Sequence, residues 1–267
     1  MAPRIVGLFS DFGLDDWYVG VMKGVILSVN PQVTVIDVIH TIPRHDVGAA
    51  SFVVGASYSY LPIDAIVVAV VDPGVGTTRR VICAEIAGRT FLAPDNGLLS
   101  DVFFREGRGR VVSVENDEYF LKPVSSTFHG RDIFASVAGH LSLGLRIGAL
   151  GPEIKNAREF DVAGPRVVDG SLDVIIRWVD SFGNLVTDCS REQAAELKLI
   201  WGKFVIAGVG EKPISMVESY ESVGVGELLG IIGSSGHLEI SVREGSAGDL
   251  LNIEVGSEIR LTKAGSI

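Results

Sequence analysis

Four short polar stretches hold the residue types that could do chemistry, and three of them directly follow an apolar run. In "SDFGLDDWYVG" the carboxylate Asp11 comes early and Gly13 permits a tight turn behind it. In "VVDPGVGTTRR" Asp72 precedes a Pro-Gly turn, Gly76 leaves the backbone open, and Arg79 follows. Asp72 and Arg79 therefore flank one glycine turn and could point into one space. In "SSTFHGRDIF" His129 sits where a helix is expected to begin. A carboxylate, a permanent cation and an imidazole can orient water, stabilise developing negative charge, and accept or donate a proton. The fourth stretch, "VDSFGNLVTD", alternates Asp180, Phe182 and Asn184 along what reads as an extended chain, which would put all three on one side. An aromatic ring and an amide in that arrangement suit a flat base such as adenine, by stacking and by edge hydrogen bonds.

Each stretch also has a plainer reading. Asp11 can cap a helix, Asp72 can cap its own turn, and Ser125, Ser126 and Thr127 can be capping residues beside solvated charges. Phe182 can be a buried ring in a turn. The glycine-rich stretch matches neither GxxxxGK[ST] nor GxGxxG. The tetrads "SDFG" and "HGRD" echo two kinase signatures, but in reversed order and without a glycine-rich loop followed by a VAIK lysine, so the echo is chance.

The elements that must position these residues fall into two textures. Up to about Pro152 the chain alternates apolar strands ("RIVGLFS", "VTVIDVI", "AIVVAVVD", "VICAEI", "TFLAPDNG") with helical stretches ("DWYVGVMKGVILSVN", "DVGAASFVVGASYSYL", "GLLSDVFFRE", "RDIFASVAGHLSLGL"). That rhythm predicts an α/β domain, a Rossmann-like sheet covered by helices, over residues 1–160. In such sheets ligands gather behind the carboxyl ends of strands, where the first three stretches lie. Beyond the polar segment "GPEIKNAREFDVAGP" come short strands separated by glycines: "LDVIIRWVDSFGNLVTD", "KFVIAG", "GELLGIIGSS", "HLEISVREG" and "IEVGSEIRLTK". With "SREQAAELKL" as the one helix expected there, residues 166–267 read as a smaller all-β barrel-like domain.

Composition narrows the partners. The 267 residues are 47% hydrophobic and 21% charged, an ordinary globular balance. A net charge of -10 argues against nucleic acid, which needs clustered Lys and Arg. Cys83 and Cys189 form no CxxC pair, so neither a thiolate zinc site nor a disulfide framework is expected, and no other metal cluster is visible. "MAPRIVGLFSDFG" lacks the features of a signal peptide, and the apolar runs are too short to span a bilayer. A cytoplasmic protein without membrane or nucleic-acid partners is expected.

In order along the chain, "SDFG" with "YVGVMKG", "VIDVIHTIPRHDV", "VDPGVGTTRR", "APDNG", "SSTFHGRDIF", "VDSFGNLVTD" and "GHLEISVREGSA" resemble the S-adenosylmethionine hydroxide adenosyltransferase family, relatives of the fluorinase and chlorinase enzymes. The resemblance spans Ser10 to Ala247. It implies an N-terminal α/β domain, a C-terminal barrel-like domain, and a homotrimer whose active sites lie between subunits. It also implies an Asp-Arg-His triad at Asp72, Arg79 and His129, with Asp11 on the ribose hydroxyls and Phe182 and Asn184 on adenine. Asp180 would meet the methionine ammonium, Ser235 would lie near its carboxylate, and the backbone at Ser246 and Ala247 would border the base. Two positions depart from the family pattern: Arg243 replaces an asparagine of some relatives, and His45 stands where fluorinases cover the ligand with tryptophan.

The activity this implies is hydrolysis of S-adenosyl-L-methionine to adenosine and L-methionine, with no cofactor, because the substrate carries its own sulfonium leaving group. Three rivals remain from the sequence: a halide-using (chlorinase-like) adenosyltransferase, a non-catalytic S-adenosylmethionine sensor, and a methyltransferase. The Asp72 and His129 combination weighs against the first, and no acceptor site suggests the last.

Overall fold

The computed structural model describes residues 5–162, 164–196, 202–209 and 212–264. The chain divides into two compact units, Met1–Asp161 and Val162–Ile267.

In the first unit the elements run β1 (Ile5–Ser10), α1 (Tyr18–Val29), β2 (Thr34–Ile39), α2 (Val47–Ser57), β3 (Ile66–Val70), β4 (Val81–Ile86), β5 (Arg89–Pro94), α3 (Ser100–Glu106) and β6 (Arg110–Ser113). A π-helical turn, Gly130–Ala135, then leads into α4 (Ser136–Ser142). The strands form one sheet in the order β2-β1-β3-β5-β4-β6. β2, β1, β3 and β5 are mutually parallel, and all five residues of β3 are buried, as the continuous apolar run requires. The sheet is nevertheless mixed, because β4 runs antiparallel to both β5 and β6. The cause is local. Ala87 and Gly88, with φ of 47° and 72°, make a two-residue turn between β4 and β5, and so short a turn can join only antiparallel neighbours. The core joins β1, β3 and the inner faces of α1 and α4 through Val6, Leu8, Met22, Ile26, Val68, Phe134 and Leu141.

In the second unit the elements are β7 (Arg166–Val168), β8 (Ser171–Val179), β9 (Leu185–Ser190), α5 (Arg191–Glu196), β10 (Lys203–Ile206), β11 (Ile214–Met216), β12 (Leu228–Ile232), β13 (His237–Val242), α6 (Ala247–Leu251) and β14 (Glu258–Lys263). The order β14-β10-β11-β12-β13-β9-β8 closes on itself through the pairing of β14 with β8, giving a seven-stranded barrel with β7 attached to β8. Closure removes the exposed edges that short strands would otherwise present. Leu172, Val174, Ile176, Phe204, Leu238 and Ile240 fill the interior. The expected "SREQAAELKL" helix covers Arg191–Glu196, and its continuation over Leu197–Leu199 lies outside the described residues. "LDVIIRWVDSFGNLVTD" is a hairpin rather than an extended run: β8 stops at Val179 and β9 starts at Leu185. The side chain of Asp180 accepts hydrogen bonds from the backbone N–H of Phe182 and of Asn184, both 2.9 Å, and Gly183 takes φ 81°, so the chain turns where alternation was expected.

Candidate active site

Asp72 leaves the end of β3 just after the fully buried Val71, whose carbonyl is held by the Asn96 side chain at 2.9 Å. The glycine turn brings Arg79 back onto it. Arg79 Nε donates to both Asp72 oxygens at 2.9 Å, and its Nη2 contacts one of them as well. Both side chains are largely buried, so this is a compensated pair in a poorly solvated place. Arg79 Nη2 also lies 2.9 Å from His129 Nδ1, and the guanidinium sits 5.7 Å from the Phe134 ring centre. The next residue, Arg80, turns the other way. It binds buried Asp95 and the Asn156 side chain and carbonyl, which anchors the strand behind the site.

The loop carrying His129 is built to approach this turn. Asp132, fully buried, accepts from the Ser125 backbone N–H at 2.7 Å and pairs with Arg131, and the Ser125 hydroxyl accepts from Thr127 N–H at 3.1 Å. The charges of "HGRD" are thus mostly structural, leaving His129 as the member turned to Arg79. Gly76 (φ 76°) makes the approach possible, because a Cβ there would lie 2.1 Å from the Ser126 carbonyl oxygen. The π-helical turn begins immediately after His129, and such turns often accompany functional positions.

Arginine has no acceptor, so His129 Nδ1 must accept the Arg79 hydrogen bond, and a neutral ring then carries its proton on Nε2. Burial and then the Arg79 charge lower the pKa of His129 below 6.5, which favours this neutral form. As it stands, His129 is prepared to donate from Nε2.

Asp72 and His129 line a cavity of about 340 Å³ with Asp11, Phe12, Asp16, Tyr18, Arg44, His45, Val75, Thr127 and Phe128. Phe12, Tyr18 and Phe128 form one aromatic cluster, with ring centres 5.0 to 5.9 Å apart. One Asp11 oxygen accepts from the backbone N–H of His45 at 2.9 Å, which fixes the carboxylate at the rim. His45 itself has φ 65°. A relay holds the end of β1: buried Ser10 Oγ to buried His40 Nδ1 at 2.7 Å, and His40 Nε2 to the exposed Asp37 at 3.0 Å. It has the composition of a nucleophilic triad, but Ser10 is 1% exposed and lines no described cavity, so its work is to hold the Asp11 loop.

The remaining expected contacts lie in the second unit. Asp180, Phe182 and Asn184 line a separate cavity of about 710 Å³ on the barrel. Phe182 is 76% exposed, so the ring is offered outward rather than buried in the turn. Asn184 Nδ2 donates to Asp180 at 2.8 Å. Ser234 lines this cavity beside Gly233, whereas the Ser235 hydroxyl is buried without a hydrogen-bond partner. Ser246 caps α6 by accepting from Asp249 N–H, and Ala247 is fully buried behind Gly245, a lining residue. Arg243 donates to the Val223 carbonyl at 2.8 Å. Sequence reasoning missed Asp16, Tyr18, Arg44 and Phe128 in the first cavity, and Tyr220, Ser234, Glu239 and Glu244 in the second. The alternation of "HLEISV" was the one available signal for Glu239. Among the described residues no group of three or more His, Cys, Asp or Glu side chains forms a metal cage, and no helix is long and apolar enough to cross a membrane.

A mixed α/β unit with an ion-paired Asp-Arg-His cluster, followed by a closed barrel presenting an aromatic and an amide, defines a two-unit class of small-molecule proteins. The chain belongs to the SAM hydroxide adenosyltransferase family: its N-terminal domain model matches residues 6–151 and its C-terminal domain model residues 174–260. The chain is similar to a Thermus thermophilus protein named (R)-S-adenosyl-L-methionine hydrolase, 35% identical over 97% of this chain and 99% of that one. A Nocardia brasiliensis fluorinase is 24% identical, over 96% of each chain. A crystal structure from Thermotoga maritima superposes with a TM-score of 0.90 at 35% identity, covering 96% of this chain and 99% of that one.

Proposed function

We propose that this protein hydrolyses S-adenosyl-L-methionine to adenosine and L-methionine, with water attacking C5′ of the ribose. The observation that carries this reading is the continuous Asp72–Arg79–His129 chain of hydrogen bonds, with Asp72 and His129 at one cavity. The similarity to a named hydrolase at 35% identity, against 24% for a fluorinase, supports the same branch.

The chemistry asks little of the protein at the leaving group. An O–C5′ bond forms, the C5′–S bond breaks, and sulfur leaves with the electron pair as a neutral thioether. One proton from water is released, so the cationic substrate and water give two products and H⁺. What the site must supply is an aligned oxygen nucleophile and stabilisation of its developing negative charge. Arg79 remains cationic and, held by Asp72, has little freedom to reorganise. His129 orients the attacking oxygen by donating from Nε2, and Asp72 is the positioning carboxylate. Asp11 holds the ribose diol, while Phe182 and Asn184 take adenine by stacking and edge hydrogen bonds. Ser246 and Ala247 border the base, and Asp180 with the Ser234–Ser235 segment receives the methionine end.

The protein acts in the cytoplasm as a homotrimer, with the first-unit cavity of one subunit completed by the barrel of its neighbour. Chromatography after incubation with S-adenosylmethionine, with and without chloride, tests the activity. Equal adenosine and methionine with either salt is expected. A 5′-chlorinated nucleoside would place the protein with the halide-using enzymes, and binding without product would make it a sensor.

A further inference from the structure

On β13, Leu238, Ile240 and Val242 belong to the barrel core, and the alternate residues His237, Glu239 and Ser241 take the opposite face. That face would ordinarily meet water, yet these three residues are only 8%, 7% and 0% exposed. The Ser241 hydroxyl makes no hydrogen bond of good geometry, and the Glu239 carboxyl accepts from the Tyr220 hydroxyl at 3.4 Å, too long for a good O–H···O bond. The carboxyl lies against Gly233, where a Cβ would be 1.6 Å from Oε1, and both residues line the barrel cavity.

The charges around that cavity are one-sided. Asp180, Glu239 and Glu244 line it, and among the described residues no Lys, Arg or His does. Asp180 already accepts three hydrogen bonds from its own turn, and Glu244 is exposed beside Arg243. Glu239 is therefore the one lining carboxyl that is both desolvated and without a good partner. A buried carboxylate needs a counter-charge or a proton.

We propose that Glu239 is a specificity-determining residue of the barrel cavity, selecting a ligand that carries an ammonium group and serving as its counter-charge. The ammonium is that of the methionine end of S-adenosylmethionine, so the inference rests on the function proposed above and adds a residue to it. Burial, and then the Asp180 charge, push the Glu239 pKa up to about 6. A bound ammonium pulls it down, so binding between about pH 5 and 6 releases protons from this group.

The test compares S-adenosylmethionine with its deaminated analogue, in which hydrogen replaces the α-amino group, on the full-length protein and its Glu239→Gln and Glu239→Asp variants. The wild type is expected to prefer the amino compound in kcat/KM by about 100-fold. Glu239→Gln, nearly isosteric, should reduce that preference below tenfold, and Glu239→Asp should restore part of it. A merely structural role would lower both substrates together and leave the ratio unchanged, which would overturn the inference. If nothing is turned over, calorimetric binding of the same two compounds reads the same ratio: a Glu239-dependent preference would then support this inference while the hydrolase reading fell. Absence of binding by either compound would overturn both.

Discussion

The two cavities treat charge in opposite ways. In the first unit Asp72 is neutralised by Arg79, and His129 is held neutral by burial and by the same guanidinium. In the barrel, Asp180 and Glu239 sit at one cavity that no cationic side chain lines among the described residues. A reacting centre benefits from charges that are fixed before substrate arrives, because nothing then reorganises at the moment of attack. A recognition pocket benefits from a charge that only the right ligand can satisfy, because a wrong ligand leaves it unpaired. The difference is what the proposed roles require, chemistry in the first unit and discrimination in the second.

The largest effect should come from breaking the compensated pair. Asp72→Ala leaves Arg79 buried without its carboxylate and frees the group that holds His129. A fall in kcat of about 10³-fold or more, with about 3 kcal/mol of lost stability, is expected from turnover and denaturant unfolding. Near-normal turnover in this variant would dissolve the contrast between the two cavities.

Next comes the approach of the two loops. Gly76→Ala places a methyl against the Ser126 carbonyl and demands φ 76° of an alanine. A loss of about 2 kcal/mol and a lowered kcat should follow, with substrate binding by the barrel little affected.

The third effect is on pH. Burial and the Arg79 charge lower the pKa of His129 below 6.5, so the folded protein resists protonating it. Its contribution to stability is complete above the unfolded value and is lost as pH falls through the lowered folded value. Protonation also fills Nδ1 and breaks the bond from Arg79. The acid limb of kcat should therefore lie below pH 6.5, and His129→Gln should remove it.

The smallest effect sharpens the barrel side. Burial is the main cause raising both Asp188 and Glu239 to about 6. The folded state then holds protons that the unfolded chain has already released, so the stability these two groups contribute is complete below about pH 4 and is lost as pH rises through 6. After allowance for solvent screening this amounts to about 1 kcal/mol per group. Glu239→Gln should flatten part of that decline in pH-dependent melting of the empty protein.

How much of this was legible varied with distance along the chain. Asp72 and Arg79 are close in sequence around a glycine turn, so residue type and spacing were enough to bring them together. His129 lies 50 residues from Arg79, and spacing alone could not connect them; the resemblance did. The alternation of strands and helices in the first unit followed from its apolar runs, but the β4–β5 reversal did not, because its turn is Ala87-Gly88 rather than a strong Asn-Gly signal. The Ser10–His40–Asp37 relay depends on two adjacent strands and carries no linear pattern. In the sequence Glu239 is only the polar position of an alternating strand, and its 7% exposure emerges from the tertiary fold.

The most direct test of the central claim is turnover of S-adenosylmethionine in ¹⁸O-labelled water, with mass spectrometry of the nucleoside. The account predicts adenosine carrying one ¹⁸O at its 5′ oxygen, unlabelled methionine, and loss of both products in Asp72→Ala. Unlabelled adenosine, or a nucleoside bearing another group at C5′, would contradict it.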